Sequence, residues 1–359
     1  MAAEKQPSSS KAKKTSGKKK PKPTKKSVPP PTTAPRAPKP APWAVLPDED
    51  VPPVDYALMR KHMTEVTEDF QKRGDVIGIA ILDRATNTMV SNKHGAQQFT
   101  LASLAKVFIA ETIGYQVYDP PKNGIAQGVG EMPVSAEPEA ELRDRMIRLS
   151  DNDATTRLWD TYGRSEIIDN AAKRYDLPDT TSGGLWTLVK STPEDMCRFF
   201  DGILDGRGGL SREETDYYKR LLISVPKYSY GAMNQDIGIR AAMPEELVGQ
   251  KNGWVDPSRR TTAGFFGEDQ RFTIAVLTTG VNNPNDLTDA IRTVVSGTGA
   301  YQAENAAQRR QPVDPEDMPQ AAETKQLSDG GGIPVALAVL GALAAAAIGF
   351  GLGWFIRRS

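Results

Sequence analysis

The sequence predicts an α+β fold in two lobes, an antiparallel five-stranded sheet flanked by helices beside an all-helical lobe, followed by one C-terminal transmembrane helix. Three observations lead there. Two strand patterns open the middle of the chain and three close it; the stretch between them is mainly helical in period; and residues 333–356 form a run of 24 residues without a charge. Strands contributed by both ends of one segment and separated by helices fit a single sheet completed late in the chain.

The 359 residues divide unevenly. Residues 1–50 open with forty that hold eleven Lys, Arg36 and one acid, Glu4, interleaved with Pro, Ser and Thr. Such a segment buries too little apolar area to offset its ordering entropy, so it is expected to be disordered. It suits a solvated spacer, or attachment to an anionic polymer or lipid, with no signature of specific nucleic-acid recognition. The domain proper is expected over 55–299. Met59, Met63, Val66 and Phe70 recur at helical spacing within 55–73, and Gly74 ends that helix. Val76 to Leu82 is continuously apolar, as in a strand buried on both faces; Asp83 to Asn87 turns it into a second strand near 88–91. An amphipathic helix is expected over 142–149. Thr192-Pro193-Glu194-Asp195 starts another, with threonine as cap, proline in the first turn and acids at the positive end of the dipole.

Residues 246–255, 261–267 and 271–279 read as three strands joined by short turns and hence antiparallel neighbours, and 286–295 as a closing helix with Leu287, Ile291, Val294 and Val295 on one face. Residues 300–332, rich in Gln, Ala, Pro and acids, form a linker. The run 333–356 is long enough to cross a hydrocarbon core of about 30 Å, and the basic tail 357–359 with Arg357 and Arg358 points to a cytoplasmic C-terminus and an external body. No apolar leader precedes Asp55, so that topology carries the expectation of a start upstream of Met1; the alternative is a cytoplasmic body.

Cysteine and histidine chemistry is poorly supported. Cys197 is the only cysteine and lies on an apolar helix pattern, which excludes an intramolecular disulfide. His62 and His94 stand far apart without acidic or cysteine neighbours, so neither zinc ligation nor a serine–histidine triad finds its residues. Serine chemistry here needs another base. Ser103 and Lys106 are three apart, which on a helix puts hydroxyl and ammonium on one face, and a helix N-terminus favours a developing oxyanion and a neutral lysine. Spacing alone does not single them out, because Ser8, Ser10 and Ser16 also precede a lysine by three. Position does: Ser103 follows the hairpin and opens the apolar segment Val107 to Ala110. Leu149-Ser150-Asp151-Asn152 offers a hydroxyl, a carboxylate and an amide between two helices, and Lys251-Asn252-Gly253-Trp254 places a cation and a glycine inside a strand.

In this order and these settings the three elements resemble Ser-x-x-Lys, Ser-Asp-Asn and Lys-Thr-Gly of the serine penicillin-recognising superfamily, most closely its class A β-lactamase-like and penicillin-binding-protein-like members. The resemblance implies the β-lactamase/transpeptidase-like fold and no cofactor or metal. It implies that Ser103 is acylated, that Lys106 is its base, and that Ser150 passes a proton to the leaving nitrogen. Asn152 would hold the substrate amide, Lys251 and Asn252 would meet its carboxylate beside Gly253, and the N–H groups of Ser103 and Trp254 would form an oxyanion hole. Two departures narrow this. Asn252 stands where the family has threonine or serine, and no Glu-x-x-Leu-Asn occurs between Asn152 and Thr192, where Glu166 is the only glutamate. The expectation is a membrane-anchored serine hydrolase or acyltransferase acting on an amide, ester or β-lactam-like substrate, plausibly a cell-envelope peptide, with slow acyl release. The other reading is a β-lactamase-fold module that binds an envelope polymer or partner protein.

Overall fold

The computed structural model describes residues 39–42, 44, 52–118, 139–254, 256 and 258–302. The apolar run 333–356, most of the basic tail and all but the first residues of the linker lie outside them. Among the described residues no helix is long and apolar enough to cross a membrane.

The chain opens with α1 (Tyr56–Lys72), whose N-cap Asp55 accepts from Leu58 N and which stops before Gly74 at φ +81°. Strands β1 (Val76–Asp83) and β2 (Thr88–Ser91) follow as an antiparallel hairpin. The short strand β3 (Phe99–Thr100) and a 3-10 turn (Ala102–Ala105) lead into α2 (Lys106–Ile113). The helical lobe continues with α3 (Glu139–Arg148), α4 (Asn152–Thr161) and α5 (Ser165–Tyr175). Strand β4 (Lys190–Ser191) pairs with β3, and α6 (Pro193–Leu204) starts where its sequence signature lies, with Thr192 Oγ1 accepting from Asp195 N at 3.0 Å. After α7 (Arg212–Ile223) and the single turn α8 (Ile239–Ala242) come β5 (Gly249–Trp254), β6 (Arg260–Phe266), β7 (Phe272–Thr279) and α9 (Asn285–Val295).

The five-stranded sheet has the order β2-β1-β7-β6-β5, antiparallel throughout. The first and last strands of the domain therefore meet at its centre, with Ala80 opposite Ala275. Both faces are covered, which is why β1 is apolar without alternation. Ile77, Ile79 and Ile81 face a core built from α1, α8 and α9, with Met59, Met63, Leu287 and Ile291. Ala80, Leu82, Ala263, Phe265 and Ala275 face α6 and the helical lobe. Small residues on this second face let α6 approach: a Cβ at Gly78 would lie 2.6 Å from the Phe99 ring and 2.8 Å from Pro193.

Two expectations change in detail. The first strand of the closing trio begins at Gly249 rather than Glu246, because the chain turns at Met243–Glu246 before entering the sheet. Ser103 sits in a 3-10 turn, and the α-helix starts only at Lys106. The sole cysteine is fully buried, its Sγ 3.3 Å from Ala80 O, and burial pushes its thiol up to about 12.

Candidate active site

Ser103 is placed by its neighbours on both sides. Leu101 N donates to Val189 O at 2.9 Å, which extends the β3–β4 pairing, and Leu101 O accepts from Thr261 Oγ1 on β6 at 2.8 Å. Ala102 then turns at φ +56°, a left-handed conformation that costs a non-glycine residue roughly 1 kcal/mol. The edge strand β5 lies directly against this turn. A Cβ at Gly253 would come within 2.4 Å of Leu101 O and 2.7 Å of Leu104 N. What the missing side chain of Gly253 admits is the backbone of the turn that carries Ser103.

Ser150 also adopts a left-handed conformation, φ +55°, between α3 and α4. Its neighbour Asp151 caps α4, accepting from Asp153 N at 2.9 Å and Ala154 N at 3.1 Å, and pairs with Arg145. Burial raises the Asp151 carboxyl, but the Ala154 N–H and Arg145 outweigh it and leave it below its ordinary value. Asp151 is thus committed to holding the turn, not to relaying a proton.

Lys106 and Lys251, both fully buried, converge on Ser150. Lys106 Nζ donates to Ser150 O at 2.7 Å, Ser150 Oγ at 3.1 Å and Asn152 Oδ1 at 2.8 Å. Lys251 Nζ donates to Ser150 Oγ at 3.0 Å. With both lone-pair directions occupied by lysines, the Ser150 hydroxyl proton is left to point elsewhere. Burial first, and then the neighbouring Lys251 charge, lower Lys106 to about 6 against a smaller opposing pull from Asp151. Burial alone brings Lys251 to about 7. Two amines this close share their titration, and near neutrality at least one is substantially uncharged.

In front of these groups lies a pocket of about 240 Å³, lined by Ser103, Ser150, Asn152, Trp186, Thr187 and Trp254 together with Ser229, Gly231 and Met233. Four sequence-assigned residues do not line it: Lys106 and Lys251 reach it only through Ser150 and Asn152, and Asn252 and Gly253 are buried elsewhere. Asn252 is 2 % exposed and its Nδ2 donates to Gln235 O at 2.8 Å, behind the strand. Gly253 is covered by the Ser103 turn. Conversely, sequence reasoning missed Trp186, whose ring lies 5.0 Å from Lys106 Nζ and whose Nε1 donates to Thr156 Oγ1 at 3.3 Å. No motif marks it; only its place on the loop before β4 brings it there. Glu166 stands on the exposed first turn of α5, and among the described residues that line the pocket there is no carboxylate.

A family model described as the β-lactamase enzyme family matches residues 60–302. The chain belongs to the β-lactamase enzyme family. Solved structures agree in fold. A class A β-lactamase from Mycobacterium abscessus superposes with a TM-score of 0.51 at 21 % identity, covering 65 % of this chain and 97 % of that one. A β-lactamase from Streptosporangium roseum gives 0.54 at 18 % identity over 68 % and 100 %. A structure titled PBP-A gives 0.55 at 17 % identity over 70 % and 98 %. Among curated proteins, one of Mycobacterium tuberculosis named "Putative lipoprotein LppW" is 28 % identical over 232 residues, 63 % of this chain and 70 % of that protein.

Proposed function

We propose that this β-lactamase-family chain is a serine hydrolase or acyltransferase that forms an acyl-Ser103 intermediate on an amide or ester substrate. The observation that carries the reading is the convergence of two buried lysines on Ser150 Oγ in the pocket that also holds Ser103. Lys106, lowered by burial, is uncharged often enough to take the Ser103 proton, and Ser150 hands a proton to the leaving group. Asn152 Oδ1, already held by Lys106, orients the substrate amide, and Lys251 supplies positive charge toward a carboxylate. The N–H groups of Ser103 and Trp254, at the pocket wall and on edge strand β5, serve the oxyanion.

Release of the acyl group is the weak step. Water attacking an ester needs a base, and among the described residues that line the pocket no carboxylate supplies one, which leaves the lysine beside Trp186. The substrate is a small peptide or β-lactam-like compound of the cell envelope. The apolar run 333–356 tethers the domain to the membrane with its body outside, as the lipoprotein name of the mycobacterial relative also suggests for that protein. The basic N-terminal tail attaches to an anionic polymer.

A second reading, a binding module with a vestigial site, is favoured by one observation: none of the three hydrogen bonds of Lys106 Nζ goes to Ser103. Incubation of the full chain with a fluorescent penicillin and with a fluorophosphonate, beside Ser103→Ala, separates the two. The enzyme reading expects a label that requires Ser103 and, for the penicillin, persists after excess probe is removed. Absence of Ser103-dependent label with either probe supports the binding module instead.

A further inference from the structure

The pocket has a polar floor, and among the described residues exposed apolar side chains stand next to its lining on two segments. Among the described residues the large hydrophobic side chains left exposed are Leu185, Leu188, Tyr228, Tyr230 and Met233, each 40–68 % accessible. These positions interleave with pocket-lining ones. Leu185 and Leu188 bracket Trp186 and Thr187; Tyr228 and Tyr230 bracket Ser229 and precede Gly231; Met233 lines the pocket itself. A soluble surface rarely gathers its exposed apolar side chains around one polar cleft unless something apolar is received there.

Their exposure does not come from a loosely held backbone. In the first segment Leu188 N donates to Leu185 O at 2.9 Å, and Thr181 and Lys190 exchange two hydrogen bonds of 2.8 and 2.9 Å at its base. In the second, Ser229 N donates to Met233 O and Gln235 N to Lys227 O, and Tyr230 N donates to Leu149 O at 2.7 Å. That last bond ties the rim to the residue preceding Ser150. The apolar side chains are thus carried at fixed places by the same segments that wall the reacting groups.

On the reading of Ser103 as the acyl acceptor, we propose that the acyl group this site takes carries an apolar arm that leaves the pocket across Leu185 and Leu188 on one segment and Tyr228, Tyr230 and Met233 on the other. The reacting carbonyl is at the floor, beside Ser103, Ser150 and Asn152, so the substrate is an amphiphile with a polar scissile group and an apolar tail. The acyl transfer balances as for any ester: Ser103 Oγ bonds to the carbonyl carbon as the bond from that carbon to the alcohol oxygen breaks, the alcohol leaves with the proton Ser103 gave up, and water then adds to the acyl carbon, releasing the carboxylic acid and returning a proton to Ser103 Oγ.

The test is a series of p-nitrophenyl esters from acetate to octanoate, each below its micelle-forming concentration, with the full chain, Ser103→Ala, the double variant Leu185→Ser with Leu188→Ser, and Tyr230→Ser. Complete burial of a methylene raises affinity roughly fourfold, so partial cover at a rim predicts kcat/KM rising roughly twofold per methylene. The rim variants are expected to flatten that slope, and near-UV circular dichroism with the thermal midpoint establishes that they are folded. Ser103-dependent turnover that does not rise with chain length overturns this proposal and leaves the acyl-serine reading standing. No Ser103-dependent release of p-nitrophenol from any ester, not even a burst of one equivalent, overturns both. A flat series together with binding of phosphatidylcholine vesicles that the rim variants lose overturns it too, and makes the rim a membrane-docking surface.

Discussion

Ser150 Oγ receives two buried amines at 3.1 and 3.0 Å, so the protonation of one lysine is felt by the other. The pH dependence of acylation follows. A proton-accepting Lys106 must be uncharged, so the rate of fluorophosphonate labelling of Ser103 is expected to climb as pH rises through about 6. Removing the Lys251 charge in Lys251→Met takes away one of the two influences that depress Lys106, and its pKa moves up. The midpoint of the labelling profile should therefore shift to higher pH in that variant; an unmoved midpoint would mean that the two amines are not coupled. Most of these residues were legible in the sequence, because Ser103, Lys106, Ser150 and Lys251 each belong to a short motif with a fixed order. Trp186 was not, since an aromatic beside a lysine is produced by the loop's path through space. Asn252 misled for a local reason: its amide is used behind the strand, by Gln235 O.

At the level of elements, the site is a junction between an edge strand and a 3-10 turn. Gly253 lets them touch, with Leu101 O accepting from Thr261 Oγ1 at the same place. A methyl group at Gly253 would have to push the backbone of Leu101 and Leu104 away, and overpacking of this kind costs about 1–3 kcal/mol. Gly253→Ala is accordingly expected to lower the thermal midpoint and to slow Ser103 labelling by at least tenfold. Normal labelling in a stable Gly253→Ala protein would refute the close-approach role. Period and cap signals located the elements well: Thr192 caps α6 where Thr-Pro-Glu-Asp stands, and α1 ends at Gly74. They failed at Ser103 and at Glu246, where the chain's direction is set by pairing to Val189 and by the turn at Met243. Tertiary contacts, not local propensity, decide such boundaries.

For the molecule as a whole, the buried lysines oppose stability. Both have folded values well below the roughly 10.4 of an exposed lysine, so between about pH 7 and pH 10 the unfolded chain binds more protons than the folded one. Stability is gained as pH rises through that window, and the full cost of holding the charges is present below pH 6. The double variant Lys106→Met with Lys251→Met is expected to melt at a higher temperature than the parent at neutral pH, with the difference narrowing toward pH 10; a difference constant with pH would contradict this origin. The two-faced core and the antiparallel order were readable from where the strand patterns fell.

The central pairing of β1 with β7 has one more consequence, concerning synthesis. A growing chain exposes Ser103 and Lys106 long before Lys251 has left the ribosome, and β1 waits beside an empty sheet position until β7 is made. The turn that carries Ser103 lacks the Leu101–Thr261 bond and the Gly253 strand during that interval. The setting of Ser103 among Lys106, Ser150 and Lys251 is therefore complete only once the last third of the domain has been made.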